Sequence, residues 1–233
     1  MCFARRNGMP EKLILKCGLD EAGRGPIAGP VTAGCVVLPD DFPIELLDDS
    51  KKLSEKKREK ALEAIKEKAC YGFARVEHGK IDEINILQAS LLAMRMAFDD
   101  MLSKLPSWLK NQPGLAPAFS AKLDSGDLSF IEIEAMTDGN FCPGVDGVEI
   151  PCRVSAEPKA DGKYHEVMAA SIVAKVERDR IMREFDKLYP EYNYAKHKGY
   201  PTPAHLEVCR RIGPSPIQRL SFDIRPKAEK KKR

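Results

Sequence analysis

Two short apolar runs stand close together near the N-terminus, Lys12–Leu19 and Val31–Leu38, with AGRGPIAGP between them. Runs of this length, bounded by Gly and Pro, read as strands joined by a turn. The first run ends on two neighbouring carboxylates, Asp20 and Glu21. Side chains alternate along a strand, so these two cannot point the same way from one. Adjacent acids also raise each other's pKa, which is costly unless something offsets the charge. The glycines that follow supply a bend and let the backbone come close to a ligand.

The rest of the chain alternates in period. Ser54 is suited to cap a helix over residues 55–69, with Ala61, Leu62, Ile65 and Ala69 on one face. Tyr71–Val76 reads as a third strand. From Asp82, the residues Ile84, Leu87, Leu91, Met94, Phe98 and Met101 recur at steps of three and four, which predicts a long amphipathic helix. Met94, Met96 and Met101 are expected to pack within it. Residues 103–128, rich in Pro, Ser, Gly and Lys, predict a long loop or small insertion. Phe130–Thr137 and Cys152–Ala156 read as strands that lead to Asp138 and Asp161. Residues 165–188 predict a long helix whose small residues would lie close to a sheet, with Pro190 at its end. Thr202–Ile212 predicts a short helix with Thr202 as cap and Pro203 in the first turn. This order predicts an α/β fold, a mixed sheet with helices on its faces and no internal domain boundary.

The chain has 233 residues, 43% hydrophobic and 31% charged, as expected of a globular protein with one sizeable core. Its apolar runs are too short to span a bilayer, and the N-terminal residues lack a secretory apolar segment. Both point to a cytoplasmic protein with no membrane partner. Seven scattered cysteines without a CxxC predict reduced, mostly buried thiols. The net charge of +3 is concentrated in Arg225–Arg233, which holds six basic residues and one acid. That tail is expected to be solvated and disordered, with a loose electrostatic tether to nucleic acid as the alternative.

Strands that neighbour one another would bring Asp20, Glu21, Asp138 and Asp161 together at their ends. A divalent cation would relieve the repulsion. Mg²⁺ and Mn²⁺ take oxygen ligands and share sites with substrate phosphates. Two such ions can activate water and stabilise the leaving oxygen of a phosphodiester. Arg24 could meet a phosphate there. The alternative is a polar turn and unrelated surface acids.

Several blocks in order resemble ribonuclease HII, the type 2 ribonuclease H: GLDEAGRGPIAGPV (18–31), DSKKLSEKKRE (49–59), IDEINILQASLLAM (81–94), MAASIVAKVERDR (168–180), HKGYPTPAH (197–205) and GPSPIQRLSF (213–222). The resemblance implies an RNase H-like fold: a five-stranded mixed sheet flanked by helices, with a C-terminal helical extension at about 189–224. The catalytic domain would be a single unit, 1–224, acting as a monomer, with 225–233 as its tail. It implies endonucleolytic cleavage of RNA in RNA–DNA hybrids and nicking at ribonucleotides embedded in duplex DNA, as in ribonucleotide excision repair. It implies Mg²⁺ or Mn²⁺ on Asp20, Glu21, a third acid and Asp161.

Gly23, Arg24 and Gly25 match the turn that reads the ribose 2′-hydroxyl, the group that separates RNA from DNA locally. Tyr200 matches the tyrosine that stacks on the junction sugar. Ser50 and Lys51 match phosphate contacts ahead of a helix; Lys52 is left open. Ser171 is either a packing residue or a phosphate contact. The third acid is Asp138, in TDGNF, rather than Asp146, in VDGVEIP, because Cys142-Pro143-Gly144 cannot form a central strand before Asp146. The departures are a longer spacing from Asp138 to Asp161 than the family usually has, Ala160 where Gly is usual, and the long segment 103–128. His165, His197 and His205 lack ligand spacing and are expected at the surface or on substrate. Asp179 is expected to pair with an arginine.

Overall fold

The computed structural model describes residues 2–4 and 12–222. The tail at 225–233 lies outside them. Strand β1 is Cys2–Ala4 and β2 is Lys12–Ala22; β3 is Val31–Val37. Helix α1, Glu55–Lys68, leads to β4, Cys70–Val76. Helices α2, His78–Lys110, and α3, Pro117–Asp124, precede β5, Ile131–Asp138, and β6, Cys152–Glu157. Helix α4 is His165–Leu188, and the C-terminal part holds α5, Tyr194–His197, and α6, Pro203–Ile212.

The sheet runs β4-β3-β2-β5-β6, with β1 added to the start of β2. Strands β2, β3 and β4 are antiparallel neighbours, while β2, β5 and β6 are parallel. The expected five-stranded mixed sheet is therefore present. Every residue of β3 is buried, as a central strand covered on both faces requires. One face packs on α2 through Leu15, Leu19, Phe98 and Met101. The other packs on α1 and α4 through Val36, Leu62, Ile65 and Val173. Ser54 caps α1 by accepting from Lys57 N–H, and Thr202 caps α6 by accepting from His205 N–H.

Three expectations need correction. The first strand does not stop at Leu19 but carries both acids to Ala22. The long helix begins at His78 and is broken at Asn85, whose φ is 67° and whose side chain accepts from the amides of Leu87 and Gln88. Asn85 thus caps the second part of the helix. Residues 103–128 are not a loop. Helix α2 continues through Pro106 to Lys110, because Leu105 and Leu109 extend the buried stripe of Phe98 and Met101. Trp108 fixes this end by donating Nε1–H to the Lys68 carbonyl at 2.8 Å. The short α3 then buries Phe119, stacked on Phe130 at 4.7 Å between ring centres. Met94 and Met101 pack inward as expected, but Met96 is exposed. Cys17, Cys35, Cys70 and Cys209 are buried free thiols, while Cys142 is exposed. No helix is long and apolar enough to cross a membrane, among the described residues.

Candidate active site

The parallel register of β2 and β5 ends on the pair Leu19–Thr137. One step further, Asp20 and Asp138 stand side by side on the same face. Asp161 arrives from a single 3-10 turn, Ala160–Gly162, rather than from the strand end itself. That turn is tied to β5, since Ala160 N–H donates to the Asp138 carboxylate at 2.8 Å. One oxygen from each of Asp20, Asp138 and Asp161 lies within 4.8 Å of the others. Glu21 does not join this triad. It lines the same cleft and accepts from Arg24 at 3.2 Å. Asp146 lies exposed in a turn far along the chain, where Arg95 donates to its carbonyl.

The electrostatics are those of a site short of positive charge. Burial pushes the Asp20 carboxyl well above the usual range, and the charges of Glu21 and Asp138 push it further. Burial also raises Glu21, opposed by Arg24. Asp138 is raised by burial and by Asp161, against the amide of Ala160. Lys51 reaches into the cluster, with Nζ 3.1 Å from Asp161. Burial lowers its ammonium, but the bond and charge of Asp161 outweigh this and raise it. The Lys51 side chain is 76% exposed, so this pair is screened and free to open. Three carboxylates with hard oxygen donors, two of them raised by burial and by neighbouring negative charge, suit a divalent ion such as Mg²⁺ or Mn²⁺.

Above the acids is a cleft of about 240 Å³. Its walls include Gly23, Arg24, Gly25, Ser50, Lys51, Ser171 and Tyr200, so every residue expected to bind substrate borders it. Gly23 has φ +99°, and a Cβ there would strike the Arg178 guanidinium at 2.1 Å. Glycine is thus required both by backbone and by space. A Cβ on Gly25 would lie 3.3 Å from the Tyr200 ring, so turn and tyrosine face each other closely. Tyr200 is 45% exposed and offers a ring face to a ligand. Ser171 and Ser50 are buried and share a hydrogen bond of 2.8 Å. The Ser171 hydroxyl also favours the charged form of Asp20.

Several residues were not legible as parts of the site. Lys175 and Arg178 border the cleft. Arg58 donates to the Ser50 carbonyl at 2.9 Å and so holds the loop that carries Lys51. Arg219 is fully buried beneath the glycine turn. Arg219, the one charged residue in IQRL, carries a faint signal of burial, whereas Arg58 and Arg178 stand among charged neighbours and carry none. Two expectations fail here. His197 and His205 are not surface or substrate groups but buried rings stacked at 4.3 Å. His197 Nδ1 accepts from Gly199 N–H, and His205 Nδ1 bonds the Tyr200 carbonyl, so they shape the tyrosine loop from within. Asp179 pairs with Lys175 at 2.7 Å, one helical turn away, and not with an arginine. His165 is exposed.

Comparison with known proteins agrees with this fold. The model of the family described as Ribonuclease HII matches residues 17–110 and 126–224. The unmatched stretch between them, 111–125, begins just after α2 and contains all of α3. A ribonuclease HII of Treponema denticola is 45% identical over 211 residues, covering 90% of this chain and 98% of its own. One from Caldanaerobacter subterraneus is 42% identical over 223 residues, covering 95% and 79%. The crystal structure of ribonuclease H2 from Pyrococcus horikoshii OT3 aligns with a TM-score of 0.59 at 26% identity, over 93% of this chain and 98% of that one. Bst-RNase HIII in complex with Mn²⁺ shares the fold, with a TM-score of 0.64 at 16% identity, over 91% and 68%. With the family model covering most of its length and relatives this close, the chain belongs to the ribonuclease HII family and is a ribonuclease H.

Proposed function

We propose that this enzyme cuts the RNA strand of RNA–DNA hybrids internally and nicks duplex DNA on the 5′ side of embedded ribonucleotides, leaving 5′-phosphate and 3′-hydroxyl ends. One observation carries the reading: Asp20, Glu21 and Asp138 share a single cleft with the glycine turn and Tyr200. Chemistry and ribose contact would then occur within one cleft. Asp20, Glu21, Asp138 and Asp161 would hold Mg²⁺ or Mn²⁺. When bound, two such ions supply water activation and charge stabilisation at the leaving 3′-oxygen.

The chain's own residues bind and orient. Gly23 and Gly25 have no side chain to exclude a 2′-hydroxyl from the backbone of the turn, and Tyr200 stacks on the sugar beside it. Arg24 and Lys51 stand at the cleft as cations for the flanking phosphates, with Ser50 beside them. Ser171 favours the charged, ligating form of Asp20 against the burial and neighbouring acids that oppose it. The domain would act as one unit, 1–224, and as a monomer.

The test is a labelled duplex containing one ribonucleotide, incubated with Mg²⁺ or Mn²⁺ and resolved on a denaturing gel. A nick 5′ of the ribonucleotide is expected, with none in EDTA and none in the all-DNA duplex. Equal cutting of all-DNA duplex would overturn the ribose reading. Undiminished cutting in EDTA would overturn the metal assignment.

A further inference from the structure

The turn that borders the cleft is held from below by a buried cation. Arg219 is completely buried. Its Nη2 donates to the Gly23 carbonyl at 2.7 Å, its Nη1 to those of Arg24 and Pro26 at 3.2 and 2.8 Å, and its Nε to Gly29 at 2.8 Å. All four acceptors are backbone carbonyls, and none of them is a carboxylate. Arg178 completes the arrangement. It donates to Ala28 and Pro30 at 3.3 and 3.0 Å and to Lys198, two residues before Tyr200, at 2.9 Å. Burial lowers Arg219 to about 9, so it stays charged at neutral pH.

The consequence follows from the planar trans peptide. An amide N–H points opposite to the carbonyl of the preceding residue. With the Gly23 and Arg24 carbonyls drawn down onto Arg219, the amides of Arg24 and Gly25 are turned the other way, away from the guanidinium. The fork is rigid and reaches four acceptors at once, which the three donors of one ammonium on a flexible stem cannot reproduce.

Arg219 is itself fixed by a strap. Its amide donates to Ile27 at 2.9 Å, and Gly29 N–H donates to Ile217 at 2.9 Å. On the outer side the Asp82 carboxylate accepts from the amides of Leu220 and Ser221, each at 2.9 Å. Asp82 sits on α2, far from the acid triad in sequence.

We propose that Arg219 is a positioning residue for ribose selectivity: it orients the backbone amides of the Gly23–Arg24–Gly25 turn, and Asp82 holds the strap that carries it. The proposal rests on the reading of that turn as the ribose sensor.

Binding is measured by fluorescence anisotropy in Mg²⁺, on an Asp138→Asn background that blocks cleavage. The two probes are a duplex with one ribonucleotide and its all-DNA counterpart. The Asp138→Asn protein is expected to favour the ribonucleotide duplex. Adding Arg219→Lys is expected to lower that preference about tenfold while leaving all-DNA affinity within about twofold, the effect of losing oriented hydrogen bonds rather than the fold. An unchanged preference overturns the proposal, as does an equal loss on both duplexes. Absence of preference in the Asp138→Asn protein itself sinks the sensor reading instead, a distinguishable result. Should Arg219→Lys fail to unfold cooperatively, the half-buried Asp82→Ala variant carries the test. It is expected to shift the preference in the same direction, and an unchanged ratio there rejects the role of the strap.

Discussion

Asp20 is the most constrained acid in the molecule. It is buried, it accepts from Glu21 N–H at 2.7 Å, and two neighbouring carboxylates raise its pKa beyond what burial already does. A carboxyl whose folded pKa lies above its unfolded value binds its proton more tightly in the folded state. It therefore weakens the metal-free fold at neutral pH, and that loss is relieved as pH falls through the raised pKa. Asp20→Asn should then abolish cleavage yet raise the Tm of the EDTA-treated protein by about 2–4 °C, the response of a chain this size to roughly 1 kcal/mol. A lower Tm in calorimetry would contradict the charge strain inferred here. The third acid can be checked separately. Asp138→Asn should reduce cleavage by at least about a hundredfold, as loss of a metal-held group does. Asp146→Asn, at an exposed turn, should leave the rate within about twofold. A gel assay of both variants decides between them.

At the level of elements, the strand glycines set how close the helices lie. A Cβ on Gly18 of β2 would fall 2.1 Å from the Glu166 backbone of α4, and one on Gly34 of β3 would fall 2.4 Å from the Ala170 carbonyl. Helix α4 thus rests directly on the sheet, which brings Ser171 beside Asp20. Gly18→Ala should cost about 1–3 kcal/mol by overpacking and push α4 outward. Urea unfolding measures the cost, and cleavage should fall with it because Ser171 moves from Asp20. Helix α2 shows how far local pattern reaches. Its stripe from Leu87 to Met101 is legible in sequence, but its continuation past Pro106 is not. Proline there removes one helical hydrogen bond. Burial of Leu105 and Leu109 and the Trp108 bond to Lys68 outweigh that loss, and these are contacts with residues far away in the chain.

For the whole molecule, the acids act as a joint between parts that fold separately in sequence. Asp20 belongs to β2, Asp138 to β5 and Asp161 to the turn after β6. An ion bound by all three would hold the native arrangement and have no equal site in the unfolded chain. Mg²⁺ at a hundredfold excess over its dissociation constant should therefore add about 2.7 kcal/mol of stability to the wild type. In Asp20→Asn that gain should largely vanish. Thermal scans with and without Mg²⁺ give the comparison, and equal gains in both proteins would place the ion elsewhere.

The amino-acid sequence by itself determined the strand–turn–strand with its acid pair, the capped helices, the mixed sheet and the family. These follow from patterns spanning a few residues or from whole motif blocks. It also supplied most of the residues that border the cleft, because the family blocks carry them, but not Lys175 and Arg178. The choice of Asp138 over Asp146 was also open to the sequence, and the structure sets Asp138 beside Asp20. Only the tertiary structure decided that Glu21 turns toward Arg24, and that His197 and His205 are buried. It alone decided that Arg219 lies beneath a turn 196 positions earlier in the chain. The reason is physical. Propensity and periodicity act through neighbours along the backbone, whereas burial and charge compensation act through neighbours in space. A lone arginine in a polar-looking C-terminal stretch shows nothing of the carbonyls that surround it until the chain has closed over it.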